Sequence, residues 1–246
     1  MHKQLNSLII SGAVVLSAFL ISAGMREAFS RTRSGIDVKG YAEKTIDSDV
    51  IKWKFRAVGQ GKTLAQAHHQ LQEYADAIRQ HLNDQGILSN ATWESPLYTS
   101  SEKKYITIKD MDKETRQTAV EKYEARKEFT VTSTEIDKIE KASKSIDDLV
   151  GKNINLRTLT IEYFANTLNA AKSELLSLAT RNAYERAQTL ANASHSKIKG
   201  ILKARQGVFQ ITPEYSTESS DNGYFDTSSR RKTVKAIAAI TFDIGE

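Results

Sequence analysis

Gly59-Gln60-Gly61-Lys62-Thr63 is the string in this sequence that comes nearest to spelling out a chemistry, because Gly-Lys-Thr between a strand and a helix ends a phosphate-binding loop. Such a loop needs a further glycine five residues before the Gly-Lys pair, so that backbone amides can wrap a phosphate. Here that position is Arg56, and no apolar run ending in a magnesium-binding aspartate stands out later. The expectation is a strand-to-helix turn with Thr63 as helix cap. The histidines, His2, His68, His69, His81 and His195, contain no pair at helical metal spacing with an adjacent carboxylate. There is no Gly-x-Ser-x-Gly elbow, and with no cysteine in the chain neither a thiolate nucleophile nor a disulfide is available. Asp147-Asp148 and Asp110 with Asp112 read as solvated surface charge. No catalytic, cofactor-binding or metal-ligating residue is assigned, and the expectation is a protein that is not an enzyme.

Lys52, Lys54 and Arg56 form the candidate interaction face. Three cations alternate along one strand with Trp53, Phe55 and Ala57, and such a row demands water, acidic neighbours or an anionic partner. A neighbouring subunit or an envelope polyanion is the functional alternative to plain solvation.

The elements that would position this face follow from periodicity. Ile36 to Ile46 and Val50 to Val58 read as two strands turning at Asp47-Ser48-Asp49. Thr63, with Gln66 three residues on, opens a helix whose apolar residues Leu64, Ala67, Leu71, Ala75, Ile78 and Leu82 share a stripe until Gly86 stops it. A strand near Ala91 to Thr99 leads into polar Ser100 to Thr118, an exposed hairpin extension or a mobile loop, and Val120 to Thr132 resumes as a strand. A shorter helix runs from Thr134 to Gly151. The second half repeats this grammar: a strand at Ile154 to Phe164, a helix from Thr167 to Ala193, and strands near Ile198 to Thr212 and Thr233 to Ile244. Ser216 to Lys232 reads as mobile. The phrases Ser95-Pro96-Leu97-Tyr98 and Thr212-Pro213-Glu214-Tyr215 fit either an internal duplication or a chance likeness of two short strings.

With 246 residues, of which 39% are hydrophobic and 26% charged, the chain can bury a sizeable core. Its net charge of +5 arises from 35 basic residues interspersed with 30 acidic ones, and no basic run is interleaved with stacking aromatics, so nucleic acid is not an expected partner. From Leu5 to Met25 no residue is charged, and the apolar run that includes Leu8, Val14, Phe19 and Ile21 suits a signal anchor or a cleaved signal. Ser22-Ala23-Gly24 offers a cleavage pattern, while Arg26, Arg31 and Arg33 oppose export of the C-terminal side. The expected organisation is a membrane segment at 1–25, a tether at 26–35 and one domain at 36–246. Its fold class is α+β: a mainly antiparallel sheet with two long helices and one shorter helix packed on it.

Several strings recur in a familiar order: Val38-Lys39-Gly40-Tyr41-Ala42-Glu43, Lys62-Thr63-Leu64-Ala65-Gln66-Ala67, Gly86-Ile87, and Ser95-Pro96 with Tyr98. Tyr123-Glu124-Ala125, Phe129-Thr130-Val131-Thr132, Ile136-Asp137-Lys138-Ile139, Asn153-Ile154-Asn155 and Ala183, Ala187 and Ala191 continue the series. Taken in order, these strings resemble the SIMPL domain family, which includes bacterial periplasmic immunogenic proteins. The chain departs from the family pattern at Ser48-Asp49, at His195 and in the length of the Ser100 to Thr118 insert. The resemblance implies an α+β domain in the cell envelope that forms homo-oligomers in some members, with a loose link to stress resistance, and it supplies no catalytic residue. The expected function is a membrane-tethered, self-assembling envelope scaffold or ring. The alternative is a ligand-binding or hydrolytic domain using a cleft between its two halves.

Overall fold

The computed structural model describes residues 17–19, 21–22, 35–110 and 113–245, with 106–110 and 113–117 described by their backbone. Leu8 and Val14 of the expected membrane segment lie outside the described residues, while Phe19 and Ile21 sit in helical backbone and are exposed. Among the described residues no helix is long and apolar enough to cross a membrane. The chain forms a mixed α+β fold of mostly antiparallel sheets, and it divides into two compact units.

The larger unit comprises Lys44–Lys172 and Gln210–Val234. Strand β2 (Val50–Gly61) alternates strictly, burying Ile51, Trp53, Phe55 and Ala57 on one face. It pairs with β5 (Lys113–Ser133) on one side and β6 (Leu156–Phe164) on the other. Two further strands, β3 (Thr92–Glu94) and β4 (Tyr98–Asp110), share the far side of β5. Helix α1 (Leu64–Asp84) covers the buried face with Ala67, Leu71, Ala75, Ile78 and Leu82. Its start is fixed by Gln66 N–H donating to Thr63 Oγ1 at 3.2 Å and Lys62 N–H donating to Gln66 Oε1 at 3.1 Å. Its end is set by Gly86 at φ 70°. In the core beneath it, Trp53 and Phe55 lie 4.4 Å apart and Phe129 stacks on Phe55 at 5.2 Å.

Several elements differ from the sequence reading. The single helix expected from Thr134 to Gly151 divides at Ile146 into α2 (Ile136–Ser145) and α3 (Asp147–Gly151), where Ser145 Oγ turns back to donate to the Ala142 carbonyl. The strand expected from Ala91 to Thr99 is cut into β3 and β4 at Ser95-Pro96, because Pro96 has no N–H for a ladder. Ser95 spans the gap, its N–H donating to the Glu128 carbonyl and its Oγ accepting from Glu128 N–H. The polar stretch after it is a hairpin: β4 and β5 pair from Tyr98–Arg126 out to Asp110–Lys113.

Strand β1 (Gly35–Asp47) does not turn back onto β2; it belongs to the other sheet. The linking residues instead serve the larger unit, with Ser48 N–H donating to the Arg230 carbonyl and Asp49 N–H to the Phe164 carbonyl. The other sheet has the order β1–β10–β8–β9, with β7 also on β10; here β7 is Lys197–Gln206, β8 Gln210–Pro213, β9 Tyr224–Phe225 and β10 Arg231–Gly245. A long strand expected from Ile198 to Thr212 breaks into β7 and β8 where Gly207 N–H donates to the Ile237 carbonyl at 2.9 Å.

The smaller unit comprises Met1–Glu43, Ser173–Phe209 and Lys235–Glu246. Most of helix α4 (Leu168–Ala193) lies in it and buries Leu175, Ala179, Ala183, Ala187 and Ala191, one residue in every four. These small side chains let the helix lie directly on β1. A Cβ added at Gly40 would fall 1.9 Å from the Ala179 carbonyl oxygen and 2.5 Å from Ala183 N. Polar contacts fix the same approach, Tyr41 N–H donating to Asn182 Oδ1 and Arg186 Nη1 to the Lys39 carbonyl, each at 3.1 Å. His195, at φ 54°, closes the helix in the left-handed region, and Ser196 N–H donates to the Ala191 carbonyl.

Candidate interaction surface

Lys52, Lys54 and Arg56 project from the face of β2 opposite Trp53 and Phe55, and the strands on either side decide what they meet. Arg56 donates to Glu128 Oε1 on β5 through Nε at 3.1 Å and Nη2 at 2.5 Å. Lys54 Nζ lies 3.4 Å from Glu162 on β6, and Lys52 stands opposite that same glutamate in the ladder. Four residues beyond Arg56, Gln60 Nε2 donates to Glu124 Oε1 at 2.7 Å. The face is therefore a cross-strand ladder of alternating charge, in which the basic row is answered from within the sheet.

The turn before α1 has its amides engaged by its own helix. Gln60 N–H donates to Gln70 Oε1 at 2.7 Å, and Lys62 N–H is held by Gln66. A Cβ at Gly59 would fall 2.3 Å from the Ala67 carbonyl oxygen, so glycine there serves close packing of strand and helix. His81 contacts Ser145 Oγ at 3.1 Å, His68 contacts Gln72, and His69 lies 3.6 Å from Glu73. Asp147 and Asp148 are exposed in the first turn of α3. Among the described residues no three His, Cys, Asp or Glu converge as metal ligands would.

Among the described residues of the larger unit are two clefts of about 560 Å³ each. Ser48, Asp49, Ile136, Asp137, Lys138 and Arg230 line the first, where Arg230 Nη1 donates to Asp137 Oδ1 at 2.5 Å. Asp76, Arg79, Leu88, Thr92 and Glu94 are among the residues lining the second. There Arg79 grips both oxygens of Glu94 at 2.6 and 2.8 Å, and Lys127 Nζ donates to it at 3.0 Å. The hydrogen bonds from Arg79, which outweigh the opposing effect of burial, hold the Glu94 carboxyl down to about 2.

A buried ionic cluster lies where the sequence suggested a mobile loop. Asp226 and Lys232 are only 4% and 3% exposed. Lys232 Nζ donates to Asp226 Oδ2 at 3.1 Å, to the Asp226 carbonyl at 2.9 Å and to the Ser229 carbonyl at 2.6 Å. Asp226 also accepts from the backbone N–H and the hydroxyl of both Ser228 and Ser229. Burial alone would raise the Asp226 pKa, yet these donors together hold it well below the usual carboxylate range; burial pushes the Lys232 ammonium down. The local signal was legible as Asp226-Thr227-Ser228-Ser229, the spacing of a carboxylate that caps the amides just after it. The contact with Lys232 was not.

Strand β4 is an edge strand of the larger unit. Over its 13 residues it pairs with β5 on one side, and among the described residues no strand pairs with its other side. Cross-strand pairs tie it to β5, with Lys122 Nζ 2.9 Å from Glu102 and Lys104 Nζ 3.8 Å from Glu121.

Against known protein families, residues 36–241 match the model described as SIMPL, Protein of unknown function (DUF541). No curated protein matches the chain.

Proposed function

The chain belongs to the SIMPL family, and we propose that it is a non-enzymatic, membrane-tethered protein of the cell envelope whose domain self-assembles into a scaffold or ring, serving under envelope or oxidative stress. The observation that carries this reading is the free edge of β4. A 13-residue strand that, among the described residues, pairs on one side only offers the backbone N–H and C=O groups of its other edge, the usual template for adding a strand from another chain. At about 3.4 Å per residue that edge extends roughly 40 Å, long enough for an extended ladder between copies. The apolar run between Leu8 and Gly24 supports the membrane tether, and would place many copies on one surface.

The test is the absolute mass of residues 36–246 by light scattering over a dilution series. A discrete oligomer that persists on dilution is expected. Ser100 and Ser101 are neighbours on β4, so one directs its N–H to the free edge and the other to β5. At least one of Ser100→Pro and Ser101→Pro should give a monomer with native Trp53 fluorescence. A wild-type monomer would overturn self-assembly of the domain, and the clefts of the larger unit would then take first place as binding sites.

A further inference from the structure

Among the described residues, one group of cations without ion pairs lies on β7, in the smaller unit. Its sequence, Lys-Ile-Lys-Gly-Ile-Leu-Lys-Ala-Arg-Gln, carries Lys197, Lys199, Lys203 and Arg205 and no acidic residue, and all four side chains are exposed. None of the four makes an ion pair among the described residues, in contrast to Lys54 and Arg56. The ladder with β10 sets where they point. Arg205 stands opposite Ala239, Lys203 opposite Thr241 and Lys197 opposite Gly245, whereas Ala238, Ile240 and Phe242, on the other face of β10, are buried. These three cations therefore share the open face of the sheet. Irregularities at Thr241/Phe242 and Asp243/Ile244 break the ladder beside them.

The place where the chain leaves this sheet says what could cover it. A Cβ at Gly35, the first residue of β1, would come within 3.3 Å of Leu202 Cδ1, whose side chain reaches it across β10, so the N-terminal end of β1 lies one strand away from the middle of β7. Only the residues between Gly24 and Gly35 separate that point from the apolar run, a span of roughly 40 Å at full extension. We propose that the basic face of β7 docks on anionic lipid headgroups of the membrane that holds the N-terminal segment. The docking rests on the proposed membrane tether and is independent of self-assembly. Its chemistry is that of a juxtamembrane basic cluster, in which each cation adds to attraction that salt screens.

The chain has no cysteine, so a single introduced thiol is a unique label. Gly200 is suitable: it stands opposite Asp243, between Lys199 and Ile201, and a Cβ there meets nothing within 4 Å. Full-length Gly200→Cys carrying an environment-sensitive dye would be reconstituted into nanodiscs of phosphatidylcholine alone or of phosphatidylcholine with phosphatidylglycerol. Co-elution with the discs reports the tether and the dye reports docking. We expect a blue shift in the anionic discs only, reversed by salt. Replacing Lys197, Lys199, Lys203 and Arg205 by Gln should shift the docked-to-free ratio roughly 600-fold toward free, at about fivefold per cation. Incorporated chain whose dye is the same in both discs overturns docking and leaves the tether standing. A shift in anionic discs that survives both salt and the Gln replacements overturns the role of these cations. Chain that does not co-elute with discs overturns the tether and the docking together. The salt and lipid comparisons use no variant beyond the label, so they decide the matter even if the fourfold replacement fails to fold.

Discussion

Lys232→Met is the substitution for which the structure gives the sharpest expectation. Methionine keeps an unbranched, apolar stem of similar length in a site that is 3% exposed, so the change isolates the ammonium group. Three hydrogen bonds disappear: the Asp226 carboxylate loses one donor, and the carbonyls of Asp226 and Ser229 each lose the ammonium as partner. Breaking a buried pair by removing one member costs about 3–5 kcal/mol, because the remaining charge is left uncompensated. Asp226 still accepts from the amides and hydroxyls of Ser228 and Ser229, which places the expected loss at the lower end, about 3 kcal/mol. With a urea slope of about 2–3 kcal/mol/M, the midpoint should fall by about 1–1.5 M.

The assay needs a reporter in the same unit, and Trp53, fully buried there, provides one. The other tryptophan, Trp93, is exposed and is replaced by Phe in all samples. Asp226→Asn combined with Lys232→Met should cost no more than Lys232→Met alone, since the isolated charge is then gone. A loss below about 1 kcal/mol for the single variant would refute the reasoning, showing that water reaches the ammonium site in solution.

Gly59→Ala should destabilise the larger unit by at least about 2 kcal/mol in the same assay, because its Cβ meets helix backbone at 2.3 Å that cannot give way. Gly151→Ala, where a Cβ meets nothing within 4 Å, is the control and should be neutral or slightly stabilising. Thr212 Oγ1 is buried with no hydrogen-bond partner among the described residues, so Thr212→Val should raise stability by up to about 1 kcal/mol. Glu94 sets an acid dependence. Its carboxyl titrates near 4.5 unfolded and is held to about 2 when folded, so between these values the unfolded chain binds more protons and acid favours unfolding. Stability fully present above about 4.5 should fall as pH drops toward 2, and Glu94→Gln should flatten that slope; a slope identical to wild type would remove Glu94 as its source.

The sequence by itself determined what depends on local periodicity and local backbone chemistry. The alternation of Ile51, Trp53, Phe55 and Ala57, the stripe from Ala67 to Leu82, the Thr63 cap and the glycine stop at Gly86 were all legible, because each needs only a few neighbouring residues. Only the tertiary structure decided which strands become neighbours, since pairing joins residues far apart in the chain and leaves no periodic trace. Arg56 meets Glu128 across 72 positions, which turns the most conspicuous basic row in the sequence into an internally matched ladder. Lys232 settles beside Asp226 because burial draws the last residues of a polar loop into the larger unit. The less conspicuous cations of β7 keep their charge exposed because Asp243 is the one acidic residue that β10 sets in their ladder, so strand order, more than the presence of lysines, decides which cations are answered from within a sheet.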